Sequence, residues 1–548
     1  MAPTPARRNG LTPRGPAPDR DDRPIAFLVS TTPCARSIRE TMGSPAYSYY
    51  FVVEALAPVL EAFGTWRLVD HPESRLAFAA AKAEAEGFRP VHLAINPLQD
   101  VYLSPDLPNL LFPFWEFPEI PDRDFGYDTR QNWLRVCRPA SLVLTACRFT
   151  AEAFHQAGVK CPVSVVPIPV TPEAFALPDY DPAHTWTLTC RHEVLGPPSA
   201  SAPTPVRVDD AAPAVEGPPR SIGERAWRVA RGGFRRVQPW MDQETVGRAV
   251  RFKQKLAKAR HIPPHKLAYV AVRKGYRSHV RPWLSQEALD RVSAAKKKAL
   301  ALVGREPTVV PDPPLPTGEL TLGGGLTYLT IFNLGDRRKN HLDLISSFLL
   351  AFRDRPDVTL VIKLVTNRLR EHHETNVLRA EYRKLGITHA CRLVMVTEFL
   401  TEPQMDELFR VSTYYVNASH AEGACLPLMR ALAGGRPAVA PAHTAMADYM
   451  DDAVGFVPRT YPEPTYWPHD PEQRLETFRY RPVWSDLRDA FLASAEVAGR
   501  DPERYAAMSR AARERMSGYA SRSAAKDALR DALALIPDEP PGALGWAS

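Results

Sequence analysis

Cysteine is scarce and unpatterned in these 548 residues. The seven, at positions 34, 137, 147, 161, 190, 391 and 425, form no Cys-x-x-Cys pair. That argues against a cysteine zinc site and against a disulfide framework, and makes a reducing cytoplasm the expected compartment. Long apolar runs are lacking too. No segment approaches the roughly 18 consecutive apolar residues of a membrane-crossing helix. The opening stretch MAPTPARRNGLTPRGPAPDRDDRP carries basic residues without an apolar core, so residues 1–22 read as a disordered tail and not as a signal peptide. Metal-ligand spacing is equally thin. His372 and His373 adjoin in an expected surface helix with no further ligand at a useful spacing. The Asp122-Arg123-Asp124 triplet has the Asp-x-Asp form of some metal-holding loops, but lies between predicted elements where a solvated loop is the simpler reading.

What the chain does have is length, proline and one basic segment. Its length suits two or three domains, and 45% apolar residues can build their cores. Proline, at 55 residues, is about twice its usual share of roughly 5% and clusters at the N-terminus and mid-chain, marking linkers. Residues 221–306 hold 21 Lys+Arg against 6 Asp+Glu, while the whole chain carries only +7. The basic character therefore belongs to that segment alone.

Three blocks follow. Residues 23–178 contain short continuous apolar runs (25–30, 91–96, 110–114, 141–146, 163–169), as strands buried on both faces require. Helical patterns at 46–63 and 150–158 fall between them, which implies βαβ units and a parallel sheet. Residues 179–318 are rich in Pro, Ala and Arg with weak periodicity. They read as an insertion or linker, far longer than an ordinary connection. Residues 319–483 repeat the first alternation, with strands expected at 326–333, 359–365, 392–398, 412–419, 437–441 and 454–458, and helices at 341–353, 368–385, 402–410 and 425–433. The tail, 484–548, reads as mostly helical. The fold class is thus α/β, with two parallel-sheet domains. Open sheets of this kind bind ligands at their strand C-terminal ends.

Three places could carry chemistry. In IFNLGDRRKNHLDLISSF a strand ends, a turn follows, and Arg337, Arg338 and Lys339 stand at a helix start. Cations there oppose the helix dipole, a conflict that a bound diphosphate would relieve; a solvated basic turn is the alternative. Lys363 interrupts a buried strand and either meets the same phosphate or snorkels at the sheet edge. Glu422 lies at a strand end one turn before a short helix, beside Gly423, which lets a ligand approach the backbone. It could accept hydrogen bonds from sugar hydroxyls, or simply favour the helix dipole.

The stretch AEGACLPLMRALAGGRPAVAP resembles the donor-site segment of group-1 type retaining glycosyltransferases, a family-4-like group with the GT-B fold of two facing Rossmann-like domains. The match rests on Glu422, Gly423, Pro427, Ala431, Gly435 and Pro437. Further support comes from RRKN before an apolar helix, from EFLTEPQMDELF, from FPFWEFPEIP with its Trp-Glu pair, and from ASLVLTACRFTAEAFHQAGV followed by VVPIPV. The resemblance leaves out the tail and the basic insertion. One departure stands out. The family's second glutamate, which typically binds the donor ribose, is here Arg430. A guanidinium cannot accept those hydrogen bonds, and could instead pair with a phosphate or with Glu422.

The resemblance implies transfer of a hexose, with retention, from a nucleotide sugar bound mainly by the second domain to a glycan or lipid-linked acceptor bound mainly by the first, as in surface polysaccharide synthesis. Neither metal nor cofactor is implied beyond the nucleotide-sugar co-substrate. Arg338, Lys339 and Lys363 would face the diphosphate, and Glu422 would hold the sugar. Gly423, Ala424, Cys425, Leu426, Arg430, His443 and Thr444 would line the donor site, the last two in the loop PAHTAMADYM. Glu116, after Trp115, would face the cleft as a second catalytic group; a loop acid beside a packed tryptophan is the other reading. TMGSPAY (41–47) could be the glycine loop near the donor phosphates. A catalytically degenerate protein that binds a glycan or partner is the competing reading. The basic segment is a solvated extension, a contact with the anionic inner membrane face, or a charge-driven nucleic-acid contact, its tryptophans favouring the membrane over nucleic acid.

Overall fold

A computed structural model describes residues 22–32, 48–124, 129–196, 315–468, 470 and 473–537. The chain divides into two units, residues 1–200 with 311–548 and residues 201–310, and every described residue belongs to the first. The expectations for residues 1–21, the 41–47 loop and the basic segment 221–306 lie outside the described residues.

The first lobe is one six-stranded sheet. β1 (Ile25–Ser30), β2 (Gly64–Leu68), β3 (Arg89–Ala94), β4 (Asn109–Leu111), β5 (Leu142–Thr145) and β6 (Val163–Val165) run parallel in the order β2-β1-β3-β4-β5-β6. β1 is buried along its whole length, which explains its unbroken apolar run: helices cover both faces of a parallel sheet. The lobe's helices are α1 (Ser48–Glu61), α2 (Pro72–Ala85), α3 (Trp133–Cys137), α4 (Arg148–Gln156) and α5 (Pro172–Phe175).

The second sheet has eight strands. β7 (Thr185–Leu195) and β8 (Thr317–Gly323) form its antiparallel edge. β9 (Leu326–Phe332), β10 (Val358–Leu364), β11 (Arg392–Val396), β12 (Tyr414–Val416), β13 (Ala438–Val439) and β14 (Gly455–Phe456) are parallel, in the order β14-β13-β12-β9-β10-β11-β7-β8. Its helices are α6 (His341–Ala351), α7 (Glu371–Leu385), α8 (Glu402–Val411) and α9 (Leu426–Ala433). β7 corrects the expected insertion, which on sequence alone starts at 179 and so engulfs this strand. In β7 only Leu188, Cys190 and Leu195 are buried, and in β8 Leu320 and Leu322. That alternation belongs to an edge ribbon with one face covered, and a search for continuous apolar runs passes over it. The turn from β8 into β9 is Gly323-Gly324-Gly325. Gly323 has φ +90°, and a Cβ there would lie 2.2 Å from the His184 carbonyl oxygen, so only glycine fits.

Between β14 and the tail stands a two-stranded antiparallel hairpin, β15 (Thr460–Tyr466) and β16 (Glu476–Pro482). Pro462 and Pro464 hide it in the sequence, since proline removes ladder donors and survives only in edge strands. The tail is helical as expected: α10 (Trp484–Arg500), α11 (Pro502–Ala520) and α12 (Arg522–Leu533). α10 packs on the second sheet, where Phe491 is fully buried among Tyr328, Phe348 and Phe352. α12 packs on α1 of the first lobe, and the Ala520 carbonyl accepts the Val170 N–H at 2.8 Å. The expected two Rossmann-like parallel sheets with a helical C-terminal region are therefore present, and the tail joins the lobes.

Candidate functional site

The site gathers at the C-terminal ends of β9 and β12. After β9, the Asn333 carboxamide oxygen accepts the Gly335 N–H at 2.9 Å. Asp336 then caps a single 3-10 turn, Arg337–Lys339, by accepting the Arg338 N–H at 3.3 Å. Asn340 reverses the chain with φ +50° before α6 begins. The turn aims Arg338 and Lys339 at the loop that follows β12.

In that loop Glu422 is only 3% exposed. Its Oε1 accepts from Lys339 Nζ at 2.6 Å, Ser419 Oγ at 2.7 Å and Asn417 Nδ2 at 3.2 Å. Arg338 Nη1 lies 3.8 Å from Oε2. Burial pushes this carboxyl's pKa up, but Lys339 and Arg338 outweigh burial and hold it at about 2. Glu422 is therefore ionised at neutral pH, and it is more firmly placed than a helix-dipole acid would need to be.

Arg338 connects the lobes. Its Nη1 is 3.1 Å from Oε1 of Glu116 and donates to the Ala421 carbonyl at 3.1 Å, while Nε donates to Asp336 at 2.7 Å. For Glu116 burial prevails over Arg338, so its pKa is raised. Two carboxyls thus flank one guanidinium with their pKa values displaced in opposite directions, Glu116 upward by burial and Glu422 downward by its two cations. Both cations already have protein partners. The charge conflict that on sequence alone points to an external anion is met, in this conformation, by Asp336, Glu116 and Glu422.

The adjoining residues close around Glu422. Its N–H donates to Thr444 Oγ1 at 3.0 Å, and its carbonyl accepts the Ala445 N–H at 3.2 Å. Thr444 has φ +49° and Cys425, just before α9, has φ +62°. With Asn340, three non-glycine residues sit in the left-handed region around one carboxylate, and such strain concentrates at functional sites. Gly423 faces the first lobe, its missing Cβ position 3.4 Å from Phe114 Cβ. The Ala424 carbonyl accepts the Tyr449 hydroxyl at 2.7 Å. Burial drives the Cys425 thiol up to about 12, so it is an inert packing group. Leu426 opens α9. His443 is buried and stacked on Tyr480 at 5.4 Å, and burial lowers its pKa to about 4.

Two of the expected donor ligands, Arg430 and Lys363, have partners outside the Glu422 cluster. Arg430 does not pair with Glu422. It bonds Glu402 at 2.7 Å and Asp406 at 2.6 Å on α8, with its guanidinium over the Phe409 ring. Seated on α9 with two acids on a neighbouring helix, it is held by the nearer charges. Lys363, fully enclosed near the end of β10, donates to the Leu364 carbonyl at 2.8 Å. Burial lowers its pKa to about 8, and the charges acting on it are Glu398, Arg191 and Glu371, not the Glu422 cluster. Asp122 and Asp124 pair with Arg123 and Arg135, and among the described residues no three His, Cys, Asp or Glu side chains gather as a metal site. Sequence reasoning missed Asn417, Ser419 and Asp336, which position Glu422 and Arg338. The first two precede Glu422 by five and three residues in NASHAE, the spacing at which a loop folds polar side chains back on an acid.

No family model and no curated protein sequence matches the chain. Solved structures similar to it include Anabaena Alr3699/HepE in complex with UDP and glucose, at 10% identity and TM-score 0.43, covering 93% of this chain and 99% of that one. A glycosyltransferase from Rickettsia africae aligns at 9% identity and TM-score 0.46, covering 94% and 99%. A sucrose-phosphate synthase from Thermosynechococcus elongatus aligns at 11% and 0.45, covering 93% and 98%. At such identities and scores the functional argument rests on the site geometry.

Proposed function

We propose that this protein is a glycosyltransferase that moves a hexose, with retention, from a nucleotide sugar to a glycan or lipid-linked acceptor, in the synthesis of a surface polysaccharide or glycoconjugate in the cytoplasm. The observation that carries this reading is the buried Glu422, held ionised by Lys339 and Arg338 where two strands end. The donor diphosphate would take over the two cations, which would then stabilise the charge that develops as the sugar–phosphate bond breaks. Glu422, relieved of Lys339, would accept hydrogen bonds from the sugar hydroxyls. Glu116, facing Arg338, would as a carboxylate take the proton that the acceptor hydroxyl loses as its oxygen bonds the sugar carbon and the nucleoside diphosphate leaves. The cations supply the charge that a metal provides in other transferases. No described helix is long and apolar enough to cross a membrane, and a peripheral contact would fall to the basic segment.

A second reading follows from Arg430. Tied to Glu402 and Asp406, it leaves the donor ribose without the carboxylate that the family resemblance expects, as in a degenerate protein that binds without transferring. One experiment separates the two. UDP-, GDP-, dTDP- and ADP-linked sugars are titrated by thermal shift against the wild type, Glu422→Ala and Arg338→Ala, and donor turnover is followed for any that bind. A shift abolished by both substitutions, with turnover, supports the transferase. No shift in a folded wild type overturns it.

A further inference from the structure

The β15–β16 hairpin touches the Arg338–Glu116 pair's surroundings from both sides. Toward the second lobe, the Tyr480 N–H donates to the His420 carbonyl at 2.9 Å, and the His420 N–H donates to the Arg338 carbonyl at 2.7 Å. Two main-chain bonds therefore run from the hairpin to the residue that carries the guanidinium. The Tyr480 ring stacks on His443 and meets Phe149 of the first lobe edge-on at 6.3 Å.

Toward the first lobe, buried Thr477 donates its hydroxyl to Glu119 Oε2 at 2.6 Å. Trp467, at the hairpin's turn, packs against Trp115 with ring centroids 5.5 Å apart. Trp115 Nε1 in turn donates to the Glu119 carbonyl at 3.0 Å, and the Trp115 carbonyl accepts from Thr150 Oγ1 at 2.6 Å. Trp115 and Glu119 thus form one braced segment, and Glu116 lies inside it.

We propose that the hairpin is a clasp between the lobes that sets Glu116 opposite Arg338, with Thr477 and Trp467 as positioning residues for the transfer. This rests on the reading that Arg338 and Glu116 serve the reaction. The hairpin belongs in sequence to the second lobe, yet its side chains grip the first beside Glu116, the carboxyl that faces Arg338. A group that must face a reacting centre gains most from such bracing, since a misplacement of about 1 Å can cost about a hundredfold in rate.

The test uses full-length Thr477→Val, which keeps the shape and removes the donated hydrogen bond, and Thr477→Ser, which restores it, with Trp467→Phe as a second probe. Hydrogen–deuterium exchange of residues 112–120 is measured without donor, beside donor affinity by thermal shift and kcat on whichever nucleotide sugar binds the wild type. The clasp predicts faster exchange at 112–120 in Thr477→Val, a kcat lower by about tenfold at unchanged donor affinity, and recovery of both in Thr477→Ser. Unchanged exchange at 112–120 overturns the clasp, whether or not any donor binds. Faster exchange with unchanged kcat overturns the positioning role. Donor binding absent in the wild type removes the transferase reading, and with it the positioning role, while exchange still decides the clasp.

Discussion

Replacing Lys339 with methionine isolates the interaction on which the site depends. The substitution removes the ammonium 2.6 Å from Glu422 and keeps most of the side-chain volume. A carboxyl held at about 2 against an ordinary 4.5 contributes about 3 kcal/mol of stability at neutral pH by linkage. Most of that comes from Lys339; Arg338 is farther, at 3.8 Å, and Ser419 and Asn417 remain. Leaving a buried charge without its partner costs about 3 to 5 kcal/mol in general, and the remaining contacts place Lys339→Met near the lower figure. The double variant Lys339→Met/Glu422→Gln buries no charge at this position and should recover most of the loss. The pH dependence has a definite sign. In the wild type the folded pKa is depressed, so this stability is present above 4.5 and is lost as pH falls toward 2. In Lys339→Met burial loses its chief opponent, so the folded pKa should rise above the ordinary value and the carboxyl should gain a proton more readily in the fold than outside it. The deficit relative to wild type should therefore shrink as pH falls from 8 to 5. Urea unfolding followed by circular dichroism across that range measures it. A deficit under about 1 kcal/mol at pH 8, or one that grows toward pH 5, would refute the claim that Lys339 holds Glu422 ionised.

Two further outcomes are expected. Arg430→Ala should cost about 1 to 3 kcal/mol, because Glu402 is largely exposed and screened but the more buried Asp406 is left without its partner. It should leave any donor-induced thermal shift in place; loss of that shift would return Arg430 to the donor site. His420 and His443, both lowered to about 4 chiefly by burial, should make the fold acid-sensitive. Both stay neutral in the fold while the unfolded chain binds protons below about 6.5, so stability should fall between pH 6.5 and 4 with a slope approaching about 2.7 kcal/mol per pH unit. A flat profile in that range would show that the two rings are not buried neutral.

The fully covered parts of the fold are legible from the run of apolar residues alone. β1, β9 and β10 are continuous apolar runs because helices cover both their faces, and short-range pattern suffices to find them. The same holds for α6, α8 and α9, and for the tail. β7 and β15 escaped for opposite reasons: β7 alternates at a sheet edge inside Pro- and Arg-rich surroundings, and β15 carries Pro462 and Pro464 at positions an edge ribbon tolerates. At the site, Glu422, Arg338 and Lys339 could be picked out because each stands at a strand end in a turn, where local sequence announces an exposed end. Glu116 could be suspected from its neighbour Trp115.

Partnership was beyond reach. Sequence gives Arg430 and Lys363 their charge but not their nearest partners. Arg430 lies 24 and 28 residues from the two acids that hold it, and Arg338 lies 222 from Glu116. Charges interact through distances of a few ångströms, and in a chain of two lobes those distances are set by how sheets, tail and hairpin pack. Local pattern suffices for the two α/β layers and for the residues poised at their strand ends; which of those residues meet follows from how the lobes pack, because Coulomb and hydrogen-bond energies depend on separations that no local pattern encodes.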